Sequence, residues 1–238
     1  MNLWNMVNEL KSPAYEWVEL SRLVTETTVH HPLFPAMTRR EILNLKEHGA
    51  ASECYDLVSQ YGTHIDPPIH FTEGGRTLDL ITAQEMLFPL CVIDLTKEFQ
   101  GNPDYEITPA DILAWEETNG KIPENAFVAM RTGWTVEGAK DADGEEHYPG
   151  WGVPALELLV ERGVGCIGHE PADTDPACNV KTDGWQAEGY WLGQDKIQIE
   201  LMINLETLPV TGGIIFCGFP RIEGGKGFTA RCVAIFPK

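Results

Sequence analysis

The chain has 238 residues, which is enough for one large domain with a substantial hydrophobic core. Its formal net charge of −19 excludes nucleic acids and anionic membrane surfaces as expected partners, because both bind basic surfaces. No stretch approaches the roughly 20 apolar residues of a membrane span, and residues 1–12 lack the basic and apolar pattern of a signal peptide.

The predicted elements follow one another as mixed strands and helices. Residues 1–16 indicate a lead-in with a short helix, and residues 17–238 indicate the domain proper. Thr108-Pro109-Ala110-Asp111 is typical of a helix start, with a capping threonine, a proline in the first turn and an early acid. Further helices are predicted after Thr82 and over 154–162, and strands over 15–23, 39–45, 55–66, 90–95, 126–130, 164–168, 196–204, 213–218 and 230–236. This order predicts a single α/β domain with a mixed central sheet.

The six cysteines are scattered without a Cys-x-x-Cys pair, and most lie in apolar segments. This favours buried, reduced thiols in a cytoplasmic protein over disulfides, a zinc–cysteine site or a nucleophilic cysteine.

Two histidines and a carboxylate fall within seven residues, from His64 to His70, around the end of a predicted strand. In a strand, His64 and Asp66 share one face with Cα atoms roughly 6.5 Å apart. Both can then bind one divalent ion at about 2.0–2.2 Å, although such spacing also arises by chance. Gln60 and Gly62 lie on the same face, and Gly62 leaves space there for an ion, a water or a substrate. His70 follows the turn after the strand, which suits a general base.

A second polar row lies on the predicted strand 196–204, where Gln198 and Glu200 share the face opposite three apolar residues. A carboxylate in so apolar a strand needs an ion or a partner, unless this face is exposed to water. Glu188 precedes this strand in a predicted loop. The same loop contains aromatic residues that are predicted to wall a flat substrate: Trp185, Tyr190 and Trp191.

A third cluster of acids surrounds His169 in residues 168–175, at the end of another predicted strand. These acids either hold the His169 side chain in place or form a solvated loop. The adjacent His30 and His31 diverge in an extended chain, which favours a surface loop over a place at the mouth of a site. Residues 224–227 lack P-loop spacing and are predicted to form a mobile loop over the pocket.

The motif from Gly62 to His70 resembles the signature of the metal-dependent cyclase/hydrolase family, His-x-Gly-Thr-His-x-Asp-x-Pro-x-His. That family includes kynurenine formamidases, isatin hydrolases and trans-dienelactone hydrolases, and the resemblance covers most of the chain from about residue 17. It implies a swivelling β/β/α cyclase-like fold, a homo-oligomer (dimer or tetramer), and Zn²⁺ or Mn²⁺ that activates water against an amide or lactone carbonyl. It also implies that His64 and Asp66 are metal ligands and that His70 is the catalytic histidine.

Departures from the family pattern refine this expectation. Gln60 replaces the first histidine of the signature, and Glu188 stands where the dinuclear formamidases have a further ligand histidine. Both changes favour a one-metal site of the isatin hydrolase kind. Gln60 is then the expected third ligand, with Gln198 as its competitor, and Glu200, Glu188 and His169 are further candidates for the metal or its surroundings. Asp173 occupies a position where the family more often has a small hydroxyl residue, and the sequence gives no reason for it.

The resulting prediction is a hydrolase with one divalent ion, Mn²⁺ or Zn²⁺, that opens a small planar cyclic amide of the isatin type or a related lactone. Two alternatives remain open. One is an aryl formamidase that hydrolyses N-formylkynurenine at a dinuclear site, with Glu188 and Glu200 holding the second ion. The other is a non-catalytic homologue that binds small molecules.

Overall fold

The computed structural model of the protein describes residues 2–142 and 144–238. Within these residues it has thirteen strands: β1 (Tyr15–Glu19), β2 (Thr38–Leu43), β3 (Ser52–Asp56), β4 (His64–Asp66), β5 (Leu87–Asp94), β6 (Glu106–Ile107), β7 (Phe127–Arg131), β8 (Gly150–Trp151), β9 (Cys166–His169), β10 (Ile197–Glu200), β11 (Gly213–Gly218), β12 (Phe228–Thr229) and β13 (Arg231–Pro237).

The same residues form seven α-helices: α1 (Leu3–Leu10), α2 (Leu45–His48), α3 (Thr96–Gly101), α4 (Pro109–Asn119), α5 (Val153–Glu161), α6 (Ala177–Asp183) and α7 (Gln186–Gly193). Short 3₁₀ turns add Pro68–His70, Leu78–Leu80, Ala83–Met86, Val136–Gly138 and Leu205–Thr207. The predicted helix start at Thr108 is confirmed, because Thr108 and Asp111 form a capping box ahead of α4.

The central sheet has nine strands in the order β1-β13-β11-β5-β7-β9-β10-β4-β12. Its middle strands β5, β7, β9 and β10 are parallel to one another. The strands on both sides of this group pair antiparallel with their neighbours. The predicted mixed central sheet is therefore confirmed.

Alternate side chains of the central strands enter two separate hydrophobic cores, as the period of two along a strand requires. Ile93 of β5 packs in the core that α4, α5 and α7 cover. Val92 packs in the other core, together with Ile65 of β4, Ile199 of β10 and Ile215 of β11. Since strands far apart in the sheet order share this second core, the sheet is curled around it.

The predicted long strand before His64 is interrupted. β3 pairs with β2 in a separate two-stranded sheet, which leaves Tyr55 exposed. Gly62 then takes a φ of +61°, and a Cβ at this position would lie 2.9 Å from Thr28 Cγ2. The expectation that Gly62 leaves space for an ion or substrate is therefore wrong, because Thr28 fills that space. Glycine instead permits the left-handed turn from which β4 starts at His64.

The lead-in forms α1, and no residue of this helix is buried. Leu3 and Trp4 are exposed on it. None of the helices in the described residues combines the length and apolar character needed to cross a membrane.

Candidate active site

The site forms where β4 and β10 lie side by side in antiparallel register. His64 pairs with Glu200 across the two strands, and Asp66 pairs with Gln198. All four side chains are buried on the face opposite the core that contains Ile65. The two polar rows predicted from the sequence therefore meet in one cluster, although about 130 residues separate them in the chain.

His64 is oriented by the turn that precedes it. Its Nδ1 atom lies 2.8 Å from the carbonyl oxygen of Gly62, which can only accept a hydrogen bond, so Nδ1 carries the proton. Its Nε2 atom then faces Asp66 Oδ2 at 3.3 Å and Glu200 Oε2 at 3.4 Å. Burial lowers the pKa of His64, but the two carboxylates outweigh it and hold this pKa well above its usual value. The three groups thus favour a proton or a cation between them.

A second group of three side chains adjoins the first through Asp66. His70, from the 3₁₀ turn after β4, has its Nε2 atom 3.8 Å from Asp66 Oδ1 and 4.0 Å from Glu188 Oε1. Burial, followed by repulsion from Glu200 and Asp66, raises the pKa of Glu188 well above its usual value. Burial also raises the pKa of Asp66, but His64 and other neighbours outweigh it and lower this pKa to about 2.

The chemistry of these residues fits a divalent cation. In the described residues, the ion pairs of the three carboxylates Asp66, Glu188 and Glu200 involve only histidines and neither lysine nor arginine. Two groups bring three possible ligand atoms within 4.8 Å of one another: His64 with Asp66 and Glu200, and Asp66 with His70 and Glu188. Imidazole nitrogen and carboxylate oxygen are common ligands of divalent metal ions.

Both candidate glutamines lie beside Asp66. Gln198 Nε2 is 2.9 Å from Glu188 Oε1 and 3.0 Å from Glu200 Oε1, and Gln198 Oε1 accepts a hydrogen bond from Thr174. Gln60 Nε2 is 3.2 Å from Asp66 Oδ1. The structure brings both glutamines to the cluster, and the choice between them as a metal ligand stays a prediction.

His169 lies behind Glu200, at the carboxyl end of β9. Its Nδ1 atom accepts a hydrogen bond of 3.3 Å from the indole N–H of Trp151, which is only a donor, so the proton of His169 is on Nε2. This Nε2 atom is 3.4 Å from Glu200 Oε1 and has no hydrogen-bond partner among the described residues. His169 therefore faces the Oε1 atom of Glu200 with its buried Nε2–H group, whereas His64 faces the Oε2 atom.

A cavity of about 250 Å³ opens above the cluster, with His64, His70, Glu188 and Glu200 among the residues that line it. This is close to the lower end of the roughly 300–1,000 Å³ typical of small-molecule sites. Its walls include three aromatic rings and one histidine: Phe34, Phe71, Trp185 and His31. His31 thus lines the site mouth, and the preference for a plain surface loop at this position is wrong.

The segment that carries Glu188 is a helix, α7, and not the predicted loop. Asp175 caps its start by accepting hydrogen bonds of 2.7 and 3.0 Å from the backbone N–H groups of Ala187 and Glu188. Trp191 is wholly buried in the core beneath the helix, and Tyr190 packs against that core. Of the three aromatic residues predicted to wall the substrate, Trp185 lines the cavity.

Asp173 also lines the cavity, which gives this unusual residue a structural setting. Its carboxylate accepts hydrogen bonds of 2.6 Å from the Tyr148 hydroxyl and 2.9 Å from the Trp185 indole N–H. Burial, followed by repulsion from Glu200, raises the pKa of Asp173. The acids around His169 therefore do not form a solvated loop, because Asp173 holds the cavity wall together and Asp175 caps α7.

Sequence reasoning missed the contributions of Phe34 and Phe71 to the cavity. Phe34 lies in an irregular segment before β2, where no period marks a buried side. Phe71 directly follows His70 and contacts it edge-on at 5.0 Å between ring centroids. Its position next to the motif was the one available signal.

Comparisons with known proteins agree with this architecture. The sequence profile of a family described as "Putative cyclase" matches residues 18–176. An isatin hydrolase of Roseibium aggregatum is 32% identical over 189 residues, which cover 74% of this chain and 72% of that protein.

Solved structures extend the similarity to nearly the whole chain. Isatin hydrolase A from Labrenzia aggregata, bound to benzyl benzoate, has a TM-score of 0.88 at 29% identity and covers 99% of both chains. An isatin hydrolase bound to the product analogue thioisatinate has a TM-score of 0.89 at 26% identity, covering 99% of this chain and 98% of that one. These matches confirm the predicted α/β cyclase-like fold.

The chain belongs to the cyclase family. It is a hydrolytic enzyme of the isatin hydrolase-like kind within that family, and its ligand set fits a divalent metal ion.

Proposed function

We propose that this protein hydrolyses a small planar cyclic amide of the isatin class, with water as the nucleophile and one divalent metal ion as cofactor. The observation that carries the proposal is the cluster of His64, Asp66 and Glu200 at the floor of a narrow cavity with aromatic walls. The related isatin hydrolases support the substrate class, and one of them binds a product analogue.

The cavity suits a flat, neutral ring better than an anion. Phe34, Phe71 and Trp185 offer apolar faces and edges for an aromatic ring. The carboxylates of Asp173, Glu188 and Glu200 line the same cavity and repel negative charge. Since opening a cyclic amide creates a carboxylate, the same charges favour release of the product.

His64 and Asp66 are the residues that we propose hold the ion, with Glu200 completing the group and either Gln60 or Gln198 as a further neighbour. When bound, the ion supplies a Lewis acid that polarises the carbonyl and makes water reactive near neutral pH. Mn²⁺ and Zn²⁺ both suit a site of imidazole and carboxylate ligands, and we propose one of these two.

His70 is the residue that we propose moves the proton. It lies at the edge of the cluster, lines the cavity and is partly exposed to it, so its Nε2 atom can reach a bound substrate. The water oxygen bonds to the amide carbon while His70 takes one proton from that water. The carbon–nitrogen bond then breaks, and the same proton passes to the leaving ring nitrogen. The products are an amine and a carboxylic acid on one opened molecule, and the acid releases the second proton of the water to solvent to become a carboxylate.

The test is isatin hydrolysis by the purified protein with added Mn²⁺ or Zn²⁺, before and after the change His70→Ala. We expect turnover that requires metal and falls by about 10²–10⁴-fold in the variant, the usual contribution of general acid–base catalysis. His48→Ala, which changes an exposed histidine on α2, is the matched control. Unchanged turnover in the His70→Ala variant would remove His70 from the reaction.

One observation favours a second candidate, an aryl formamidase with two ions. Asp66 is shared by both possible metal-binding groups, and a shared carboxylate is what a two-ion site requires. Metal analysis of the purified protein distinguishes the two candidates. One ion per chain supports the isatin-type hydrolase, and two ions with turnover of N-formylkynurenine support the formamidase. Metal binding without turnover of any amide or lactone would leave the non-catalytic homologue.

We further propose a cytoplasmic homo-oligomer, dimer or tetramer, in which residues 1–16 act as a lead-in to a catalytic domain over 17–238. The exposed Leu3 and Trp4 of α1 support association, and the free cysteines are consistent with a reducing compartment. Light scattering on a size-exclusion column measures the subunit number, and a monomeric mass would contradict association.

A further inference from the structure

The side chain of Gln60 is buried at the edge of the cluster and is held on three sides. Its Nε2 atom lies 2.9 Å from the backbone carbonyl oxygen of Lys226 and 3.2 Å from Asp66 Oδ1. Its Oε1 atom accepts a hydrogen bond from the hydroxyl of Ser59. The glutamine thus connects the cluster to a loop more than 160 residues away.

These contacts fix which end of the amide faces the site. A backbone carbonyl and an ionised carboxylate only accept hydrogen bonds, so the group between Lys226 and Asp66 must be the NH₂. The opposite orientation would put Oε1 against two oxygen acceptors and would leave NH₂ against the hydroxyl of Ser59. Gln60 therefore presents N–H to the cluster and directs its oxygen lone pairs away, whereas a metal ligand must present oxygen.

The loop of residues 224–227 is built to approach Gln60 closely. Gly227 has a φ of +151°, and a Cβ at this position would lie 2.2 Å from Gln60 Nε2. Gly225 accepts a hydrogen bond of 3.0 Å from the N–H of Leu78, and Gly224 donates one of 3.0 Å to Asp79. This segment is therefore anchored against Gln60, and glycine at 227 is what lets its backbone reach the amide.

We propose that Gln60 is a positioning residue for Asp66 and not a metal ligand; this deepens the proposed function, on which it rests for the metal. The N–H of Gln60 holds Asp66 Oδ1, and Lys226 holds Gln60. Asp66 Oδ2 faces His64 at 3.3 Å and has a longer contact of 3.4 Å with Gln198 Nε2. This arrangement favours one ion in the group of His64, Asp66 and Glu200, because Gln60 holds the Asp66 oxygen that faces His70 more closely, at 3.2 Å.

The change Gln60→Glu separates a positioning role from ligation, since it keeps the size of the side chain and replaces NH₂ with a second oxygen. A ligand at this position would bind a divalent ion as tightly or more tightly after the change. A positioning donor becomes a carboxylate that faces the Lys226 carbonyl and Asp66. We expect the Mn²⁺ affinity of the metal-free protein, measured by calorimetry at pH 7.5, to fall at least about tenfold, the usual effect of losing a partner that orients a ligand.

A second pair of variants tests the same role without altering Gln60. The Cβ that Gly227→Ala adds would displace the Gln60 amide, so we expect this change to weaken Mn²⁺ binding as well. Gly224→Ala is the matched control: it lies in the same loop at φ +67°, and nothing lies within 4 Å of its added Cβ. The unfolding temperature of each metal-free variant, compared with wild type, shows that the loss concerns metal affinity rather than folding.

Each outcome decides the proposal. Equal or tighter Mn²⁺ binding in the Gln60→Glu variant overturns it, and so does a wild-type protein that binds neither Mn²⁺ nor Zn²⁺. If wild type binds metal but does not hydrolyse isatin, the proposed function fails while the role of Gln60 is still decided by the affinities.

Discussion

Buried acidic side chains occur at two places in this protein, and their negative charge is neutralised at only one of them. On the helical side, Glu116 of α4 accepts hydrogen bonds of 2.8 and 3.1 Å from Arg162 and of 2.5 Å from Lys121. The Arg162 guanidinium, outweighing partial burial, lowers the pKa of Glu116 to about 2. The single negative charge of Glu116 has two permanent positive partners, so this helical cluster is complete within the chain.

The cluster at β4 and β10 lacks such partners. In the described residues, Asp66, Glu188 and Glu200 form ion pairs only with histidines, and burial and neighbouring carboxylates drive the pKa of Glu188 well above its usual value. A buried carboxylate without a cation is costly, so this arrangement is unfavourable for the chain alone. The contrast shows how a binding site differs from a structural ion pair: the missing positive charge is left for a metal ion to supply.

The largest effect is expected from the change Asp66→Asn. Asparagine keeps the size of Asp66 but removes the charge shared by both groups of ligands, so we expect metal binding to be lost and kcat/KM to fall by at least about 10³-fold. The unfolding temperature of the metal-free protein should also fall, because the low pKa of Asp66 shows that His64 and other neighbours stabilise its charge in the folded protein. Metal analysis, kinetics and thermal unfolding measure the three effects.

Asp56→Asn, a change of an exposed aspartate at the end of β3, is the control. If the Asp66→Asn variant still bound its full complement of metal, the ion would not be held by this cluster.

Metal addition should stabilise the protein through one cluster and not the other. At a free concentration of 100 times Kd, a ligand that binds only the folded state adds about 2.7 kcal/mol to the free energy of unfolding. We expect a gain of this size from Mn²⁺ or Zn²⁺, measured by thermal unfolding, and its loss on adding a chelator. The gain should persist in a Glu116→Gln variant and vanish in Asp66→Asn. A gain retained in Asp66→Asn would place the ion elsewhere.

A change in the helical cluster should instead lower the stability of the protein and leave its activity unaffected. Glu116→Gln removes the charge that Arg162 and Lys121 share, and we expect the free energy of unfolding to fall by about 1–3 kcal/mol at pH 7 without loss of activity per folded molecule. Glu117→Gln, the exposed neighbour on α4, is the control and should change stability by less than about 0.5 kcal/mol.

The pH dependence of this effect has a definite sign. The folded pKa of Glu116, about 2, lies below its usual value of 4.5, so its contribution is fully present above pH 4.5. That contribution is lost as the pH falls towards 2. The stability difference between wild type and Glu116→Gln should therefore shrink in acid, and a difference that grows would contradict the ion-pair explanation.

The smallest effect is expected at Asp173, which is intermediate between the two clusters: among the described residues it has hydrogen-bond donors but no ion-pair partner. Asp173→Asn keeps a group that can pair with Tyr148 and Trp185 but removes one negative charge from the cavity wall. We expect the carboxylate product to inhibit about two- to fivefold more strongly, the size of one partly screened charge interaction. Steady-state product inhibition measures it, and weaker inhibition would show that the wall does not repel the product.

Local rules predicted a large part of the fold. The period of two placed His64 with Asp66 and Gln198 with Glu200 on single strand faces, and the capping pattern at Thr108 located the start of α4. The same rules failed at α7, which was predicted to be a loop. Its start is defined by the cap from Asp175, which lies too far along the chain to be recognised as a cap.

The sequence by itself determined the polar faces of β4 and β10, the start of α4, the family motif and the excess of acids over basic residues. Only the tertiary structure decided that Glu200 lies opposite His64, that Glu188 enters from a helix and that the Gln60 amide points its N–H at Asp66. Periodicity and capping act over a few residues and can be seen in the sequence. Strand register and amide orientation depend on partners more than a hundred residues away, which no local pattern specifies.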